Sequence, residues 1–576
     1  MFRLALGALV AVVSPLLAAD AKQAIVELYK SGKIFDKGQY AKVRDAFAAY
    51  FEERHAEWLK KAWGEDHEAL LAWLNAHPRI KGEFFNALRE GDDNVPAALS
   101  LFRQIWKGFP GQVETYADLA IAVAVVWDNP RAVYYYAPHQ VRTKSKMPEG
   151  EVDALGNFRY VVENEKIMEG RTKNLPWEFL TFVIDHKTPL KERAWAQAYY
   201  IANKGKGKWH QDVPYDYDML DGEVKKSGKT PKLMGQDYTL ANIRALGGVC
   251  AMQADFAARV GKSVGVPAVY CGGESAHRGR HAWWMYVRTE KTSTGQIKIN
   301  LVSDGRFAGK DMFFTGDVLD PQSGKRMLDR DMERRLWVIG LDKEKKRHSD
   351  LLMRAYPWLA RELEFDTRTK TAYLDKTLKL SNYAEEAWTE LARMAKAGEF
   401  DGPKEKKIAR DHLLALTTIF AAYPDFVWRI YDDFLTVCSD AKEQLKLYER
   451  AALAFEKAAR PDLACDARLK IANTLVEHAK AQEAAKNLIL AIRKFPTEGR
   501  YVPKMAKRLQ EIAPHYKGGP VEVANLYLEI IPAMKVFYKG EEGVYYQSML
   551  RQAIAFLEAN ALGTHERTLK AKVGAP

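Results

Sequence analysis

The stretch Gly247–Asp304 opens GGVCAMQADFAARVGKSVGVPAVYCGG (247–273), continues HAWWMYV (281–287) and closes IKINLVSD (297–304). Gly247 and Gly248 punctuate a turn. Val249, Met252, Phe256 and Val260 then recur at the spacing of one helical face. Cys250 falls in the first turn of that helix, where free backbone N–H groups and the positive end of the macrodipole favour thiolate over thiol. Gly265 and Pro267 end the helix. VPAVYC reads as a strand, HAWWMYV as a second and, after a turn at Ser293–Gly295, IKINLVSD as a third. Three successive elements thus carry a thiol, an imidazole (His281) and a carboxylate (Asp304), 31 and then 23 residues apart.

Cysteine acyl chemistry uses these groups. A thiolate attacks a carbonyl carbon, an imidazole keeps it ionised and later protonates the leaving group, and a carboxylate orients the imidazole. The Gly-x-Cys turn with Ala254 four residues on, the GVPAVY strand, the HAW triplet at His281 and the aspartate at Asp304 resemble the transglutaminase-like superfamily of papain-type folds, in a bacterial branch with large helical flanks. The resemblance covers roughly residues 236 to 330. It implies Cys250 as nucleophile, His281 as general acid/base and Asp304 as its orienting partner, with no cofactor. The plain alternatives stay open: a small core hydrophobe for Cys250, a strand-end histidine bonded to backbone for His281, and a turn residue before Gly305 for Asp304.

Other site assignments rest on less. The backbone N–H of Cys250 and the side chain of Gln236 are the candidate oxyanion donors. Gly248 beside the thiol and Trp283, which strand alternation sets on the His281 face, are the candidate substrate contacts. VPYDYD (213–218) is a loop able to border the cleft. GKGKWH (205–210) lacks the third glycine of a dinucleotide loop and follows a helix, so it is set aside. The spacing of Cys271, His277 and His281 matches no zinc arrangement, and no metal is expected.

At 576 residues the chain exceeds a single hydrophobic core. A hydrophobic content of 47% excludes a disordered chain. A net charge of +12 suggests an anionic envelope polymer as a candidate partner, but no nucleic-acid module is recognisable. The runs KEKKR (343–347) and KEKK (404–407) read as solvated helix faces. Arg3, the apolar run Leu4–Ala18 and the small-x-small site Ala19-Asp20-Ala21 read as a secretory signal peptide, implying an exported, periplasmic or extracellular product. Four cysteines are few for a stapled scaffold. Cys438 and Cys465 lie on neighbouring helical segments, and their pairing is left open.

The expected fold class is α+β, a papain-like transglutaminase core between helical regions. The divisions are 1–21 signal peptide, 22–172 mostly helical, 173–340 catalytic core, 341–562 helical and tetratricopeptide-like, and 563–576 a disordered tail. VYYYAP (133–138) reads as extended. The function expected is hydrolysis of peptide or amide bonds through a thioester, in preference to transfer to an amine. The other reading is an inactive core serving as a scaffold, with a protein partner bound by the C-terminal helices.

Overall fold

Five strands form one antiparallel sheet: β1 (Ala268–Ser275), β2 (Gly279–Lys291), β3 (Ile297–Asp304), β4 (Phe314–Leu319) and β5 (Arg326–Leu328), in the order β3-β2-β1-β4-β5. The rest of the described residues of the computed structural model are mostly helical, so the class is α+β with helical flanks. It describes residues 18–129, 133, 143–203, 209–219, 229–275, 279–291, 297–306, 314–438, 440–536, 543 and 545–575. The extended segment expected at 133–138 lies, apart from Val133, outside the described residues, as do the first 17 residues of the expected signal peptide.

Successive strand side chains point to opposite faces, and the sheet uses both. Val269, Cys271, Trp283, Met285 and Val287 face one core, shared with the helices Ala117–Trp127 and Trp177–Ile184. The first of these, ADLAIAVAVVW, is apolar on every side and is buried accordingly. Ala268, Ala282 and Trp284 face the other core, covered by the helix Cys250–Ser263.

That helix is enclosed almost all round, so its charged residues are buried in pairs. Arg259 lies 2.9 Å from Asp255, which also accepts from the Tyr238 hydroxyl at 3.1 Å. Lys262 pairs with Asp185 at the end of the Trp177–Ile184 helix. Removing one partner of such a pair would leave an uncompensated charge, so these contacts hold the helix in one position.

The helix Asp329–Glu362 joins the sheet to the C-terminal region. Asp342 breaks its geometry (φ −162°, ψ 91°) beside the boundary expected at 340/341. Before the break, Met332, Leu336 and Ile339 belong to the sheet's core; after it, Leu351, Leu352 and Leu359 belong to another. The second core also takes Ile25, Val43 and Phe47 from the first two helices, Ala18–Lys30 and Tyr40–Arg54. The N-terminal helices are therefore divided between two cores. KEKKR is not a solvated face: Lys346 is buried, and Arg347 is enclosed by three carboxylates. Among the described residues no helix is long and apolar enough to cross a membrane.

Among the described residues the C-terminal region consists of helices joined by turns, and the expected tail forms the helix Gly563–Val573. Leu569 and Val573, four residues apart, give it an apolar edge, and both are buried. The helices Ala441–Lys457, Pro461–Glu477 and Ala481–Lys494 are joined by short links that stop each helix alike. Ala459 and Ala479 take φ +54° and +58°, and the next amides reach back, Arg460 to the Phe455 carbonyl oxygen and Lys480 to that of Leu475, both at 2.9 Å. Glycine is the usual residue in this stop. Ala459→Gly and Ala479→Gly are each expected to stabilise the fold by about 1 kcal/mol, since the left-handed conformation strains a Cβ. Urea unfolding of the single and double variants measures it; destabilisation would show that the methyl groups contribute packing.

Candidate active site

The turn before Cys250 is built against a neighbouring strand-like segment. Gly247 takes φ +87°, and a Cβ there would lie 2.5 Å from the Pro214 carbonyl oxygen. Gly248 N–H donates to that oxygen at 3.0 Å, and its own carbonyl accepts from Asp216 N at 3.1 Å, forming a parallel bridge to Tyr215. Gln253 Nε2 holds the same segment through the Val213 carbonyl oxygen, 2.8 Å. Gly248 is buried with both backbone groups used internally, so it presents no donor to a substrate, contrary to expectation. The loop 213–218, by contrast, does border the thiol's turn. Its Tyr215 and Tyr217 rings are exposed and 4.9 Å apart.

Cys250 is the first residue of its helix and half-buried. The helical ladder starts at the Val249 carbonyl, which accepts from Met252 and Gln253. The amides of Cys250 and Ala251 precede that ladder, in the position where a helix start meets an oxyanion. Gln236 is exposed in a turn, with its backbone amide donating to Leu233 at 3.2 Å.

The register of β2 and β3 decides where the other two groups stand. Trp284 pairs with Asp304, so these two share a face, the one covered by the Cys250–Ser263 helix. His281 is three residues before Trp284 and therefore belongs to the opposite face, with its ring stacked 5.9 Å from that of Trp283. His281 Nε2 lies 2.9 Å from the Gly305 carbonyl oxygen. A carbonyl can only accept, so in this contact Nε2 carries the proton. Burial lowers the His281 pKa from 6.5; the Gly305 contact opposes this, and the charge of nearby His210 adds to it.

Asp304 meets a different imidazole. Its Oδ2 lies 3.1 Å from Nδ1 of His210, close enough for an ion pair though the ring nitrogen is out of line for a hydrogen bond. His210 sits in the short turn Trp209–Asp212, anchored by Trp209, whose ring is 5.6 Å from Trp284. The backbone beyond Asp304 is fixed by Gly305, at φ +95° over Trp283, and by Arg306, buried against Asp329 at 2.8 Å and Glu333 at 2.9 Å. His210 ends the GKGKWH stretch, which carries no cofactor motif. Nothing in its local pattern marks it, because its partner is 94 residues further on.

Trp283 is 2% exposed and meets Gly305 and Gly316, so it is a core residue under His281 rather than a substrate contact. Cys271 is fully buried, and burial pushes its thiol well above 9. Cys438 and Cys465 are both free thiols in separate surroundings. Burial raises both, Cys438 to about 11. The zinc reading involves His277, which lies outside the described residues, and among the described residues no three ligating side chains group together.

The arrangement offers a thiol at a helix start, a carboxylate–imidazole pair on the sheet face beneath that helix, and a second imidazole at the same strand edge. Comparison with known proteins yields no match: no family model, no curated protein and no solved structure is similar to the chain.

Proposed function

We propose that the chain is an exported cysteine enzyme of transglutaminase-like type, with a papain-like core, acting on peptide or amide bonds. The observation that carries this reading is Cys250, half-buried at the first turn of its helix, on the sheet face that also bears Asp304 and His210. The Cys250 thiolate attacks the carbonyl carbon. The C–N bond breaks as the imidazolium gives its proton to the leaving amine, and a thioester remains. Water, deprotonated by the same imidazole, then releases the carboxylic acid and the thiol. The resemblance assigns that imidazole to His281 and its orientation to Asp304, which requires the end of β2 to turn His281 toward the helix; His210, already beside Asp304 on the Cys250 side, is the second candidate for the role. The exposed tyrosines of the 213–218 loop offer surface for a peptide. No cofactor enters the reaction. The net charge of +12 suits an anionic envelope surrounding.

A second reading is a scaffold that binds a protein partner through its C-terminal helices. It is favoured by one observation, the His281 Nε2 contact with a backbone carbonyl on the face opposite the Cys250 helix.

Hydrolysis is expected over transfer. An amine acceptor needs an apolar channel that excludes water, and Trp283, the aromatic nearest His281, is buried rather than lining one. Incubation of the protein with a peptide panel and a labelled primary amine, with Cys250→Ala as control, separates the outcomes. Release of ammonia or peptide without amine incorporation is expected. Cys250-dependent incorporation would make it a transferase, and no turnover of either kind would favour the scaffold.

A further inference from the structure

Away from Cys250, a cleft of about 1090 Å³ opens between the N-terminal helices, the Asp329–Glu362 helix and the helices Glu385–Lys396 and Pro424–Leu435. A smaller cavity of about 280 Å³ adjoins it, and Asn86, Arg89 and Arg354 line both. Arg89 and Arg354 are both exposed residues that open onto the water of the cleft, although protein crowds around the Arg354 side chain. They are close enough to repel. Burial lowers the Arg354 pKa, Asp350 opposes this and the charge of Arg89 adds to it.

Several of the acids around these two cations are engaged elsewhere, and Glu386, also on the cleft wall, is acted on chiefly by Lys346 and more weakly by Arg335 and Arg89. Asp350 is held by Lys346. Glu90 is held by Arg54 at 3.0 Å and by His55 at 3.2 Å. Lys325 takes Asp92 at 2.6 Å. The Arg89 backbone amide and Gln322 Nε2 take Asp93, at 2.6 and 2.9 Å. Among the described residues, Arg354 donates only to the Asn86 carbonyl oxygen, at 2.9 Å, and the Arg89 guanidinium comes no nearer to an acid than 4.0 Å from Asp92. A guanidinium has five N–H donors in a planar fork. Most of those on Arg89 and Arg354 therefore have no protein acceptor among the described residues, and both side chains line the wall the two cavities share.

We propose that Arg89 and Arg354 form a binding site for a small organic anion, whose carboxylate or phosphate group they grip at the neck between the two cavities. Paired planar forks match the geometry of an oxyanion. The cleft has the size of a small-molecule site. Trp177, Ile339 and Ile430 on its walls supply apolar surface for the rest of the ligand. The site is independent of the Cys250 chemistry.

Citrate and inorganic phosphate are the probes, titrated calorimetrically into the full chain at low ionic strength, where screening is weakest. The wild type is expected to bind at least one of them. The double substitution Arg89→Gln/Arg354→Gln should weaken that binding tenfold or more, and Arg326→Gln, at an exposed arginine of β5, should leave it unchanged. Binding of citrate alone identifies a carboxylate ligand, and binding of phosphate alone a phosphate ligand. Phenylglyoxal labelling of the wild type, with the modified sites mapped, does not depend on any variant folding. The bound anion should slow modification of Arg89 and Arg354 tenfold or more relative to Arg326. Binding of neither anion, binding that the folded double variant retains, or labelling of Arg89 and Arg354 that the anion leaves unchanged would overturn the proposal.

Discussion

Turnover by the Cys250→Ala protein is expected to fall by a factor of about 10⁴ or more, because the covalent route is lost with the sulfur. The histidines should separate by size of effect. His281→Ala is expected to cost about 10²- to 10⁴-fold, the usual contribution of a general acid–base group. His210→Ala should cost about tenfold, since its part under the proposed triad is to hold Asp304 from the Cys250 side at 3.1 Å. Single-turnover rates with a peptide or amide substrate from the panel measure both. The opposite ranking would transfer the acid–base role to His210, which already shares the Asp304 face. Loss of Cys250 without effect on turnover would remove the enzyme reading.

Arg347→Ala is expected to lower the unfolding free energy at pH 7.5 by about 3–5 kcal/mol, as for other buried ion pairs that lose one member. The Arg347 fork binds Glu178 at 2.8 and 2.7 Å and Glu83 at 2.8 Å, with Asp118 at 3.6 Å. Glu83 and Glu178 are 8% and 10% exposed in their side chains, so the substitution strands two buried carboxylates. These three residues tie the helix Pro78–Ala87 and the helix Trp177–Ile184, which backs the sheet, to the second half of the Asp329–Glu362 helix. In the variant, burial without a cation raises both carboxyl pKa values above their unfolded values near 4.5. The folded form then binds more protons than the unfolded chain between those values, and stability rises as pH falls through that window. The deficit should therefore shrink at pH 5. Arg347→Lys should recover only part of it, because an ammonium cannot serve two carboxylates in the same fork geometry. Denaturant curves at the two pH values measure this; a loss under about 1 kcal/mol would mean that the network contributes little.

The sequence made the central elements legible where a single chain segment carries its own signal. The Gly247–Gly248 pair at one end and Gly265 with Pro267 at the other bound the Cys250 helix, and the apolar alternation of β1 and β2 marks strands whose two faces are both covered. The contacts between segments were not legible. Asp304 meets His210 because of a β2–β3 register and a turn held by Trp209, neither of which has a local pattern. Charge also misled. KEKKR has the composition of a solvated face, yet Lys346 and Arg347 are drawn inward by carboxylates from other helices. The buried Asp255, Arg259 and Lys262 of the Cys250 helix show the same effect, since each partner makes burial of the other tolerable. Two apolar residues in the last helix, Leu569 and Val573, were too few to mark it as part of a core until its neighbours were in place.

Alkylation of Cys250 as a function of pH tests the central claim most directly, because it needs no substrate. Native protein is treated with limiting iodoacetamide between pH 5 and 10, and labelling at each cysteine is read by peptide mapping. The account predicts that Cys250 reacts first, ahead of Cys438 and far ahead of buried Cys271 and Cys465, with a midpoint below the ordinary thiol value of about 8.5. His281→Ala should move that midpoint upward. A Cys250 midpoint at or above 8.5, indifferent to both His281→Ala and His210→Ala, would contradict it, for the thiol would then be no nucleophile.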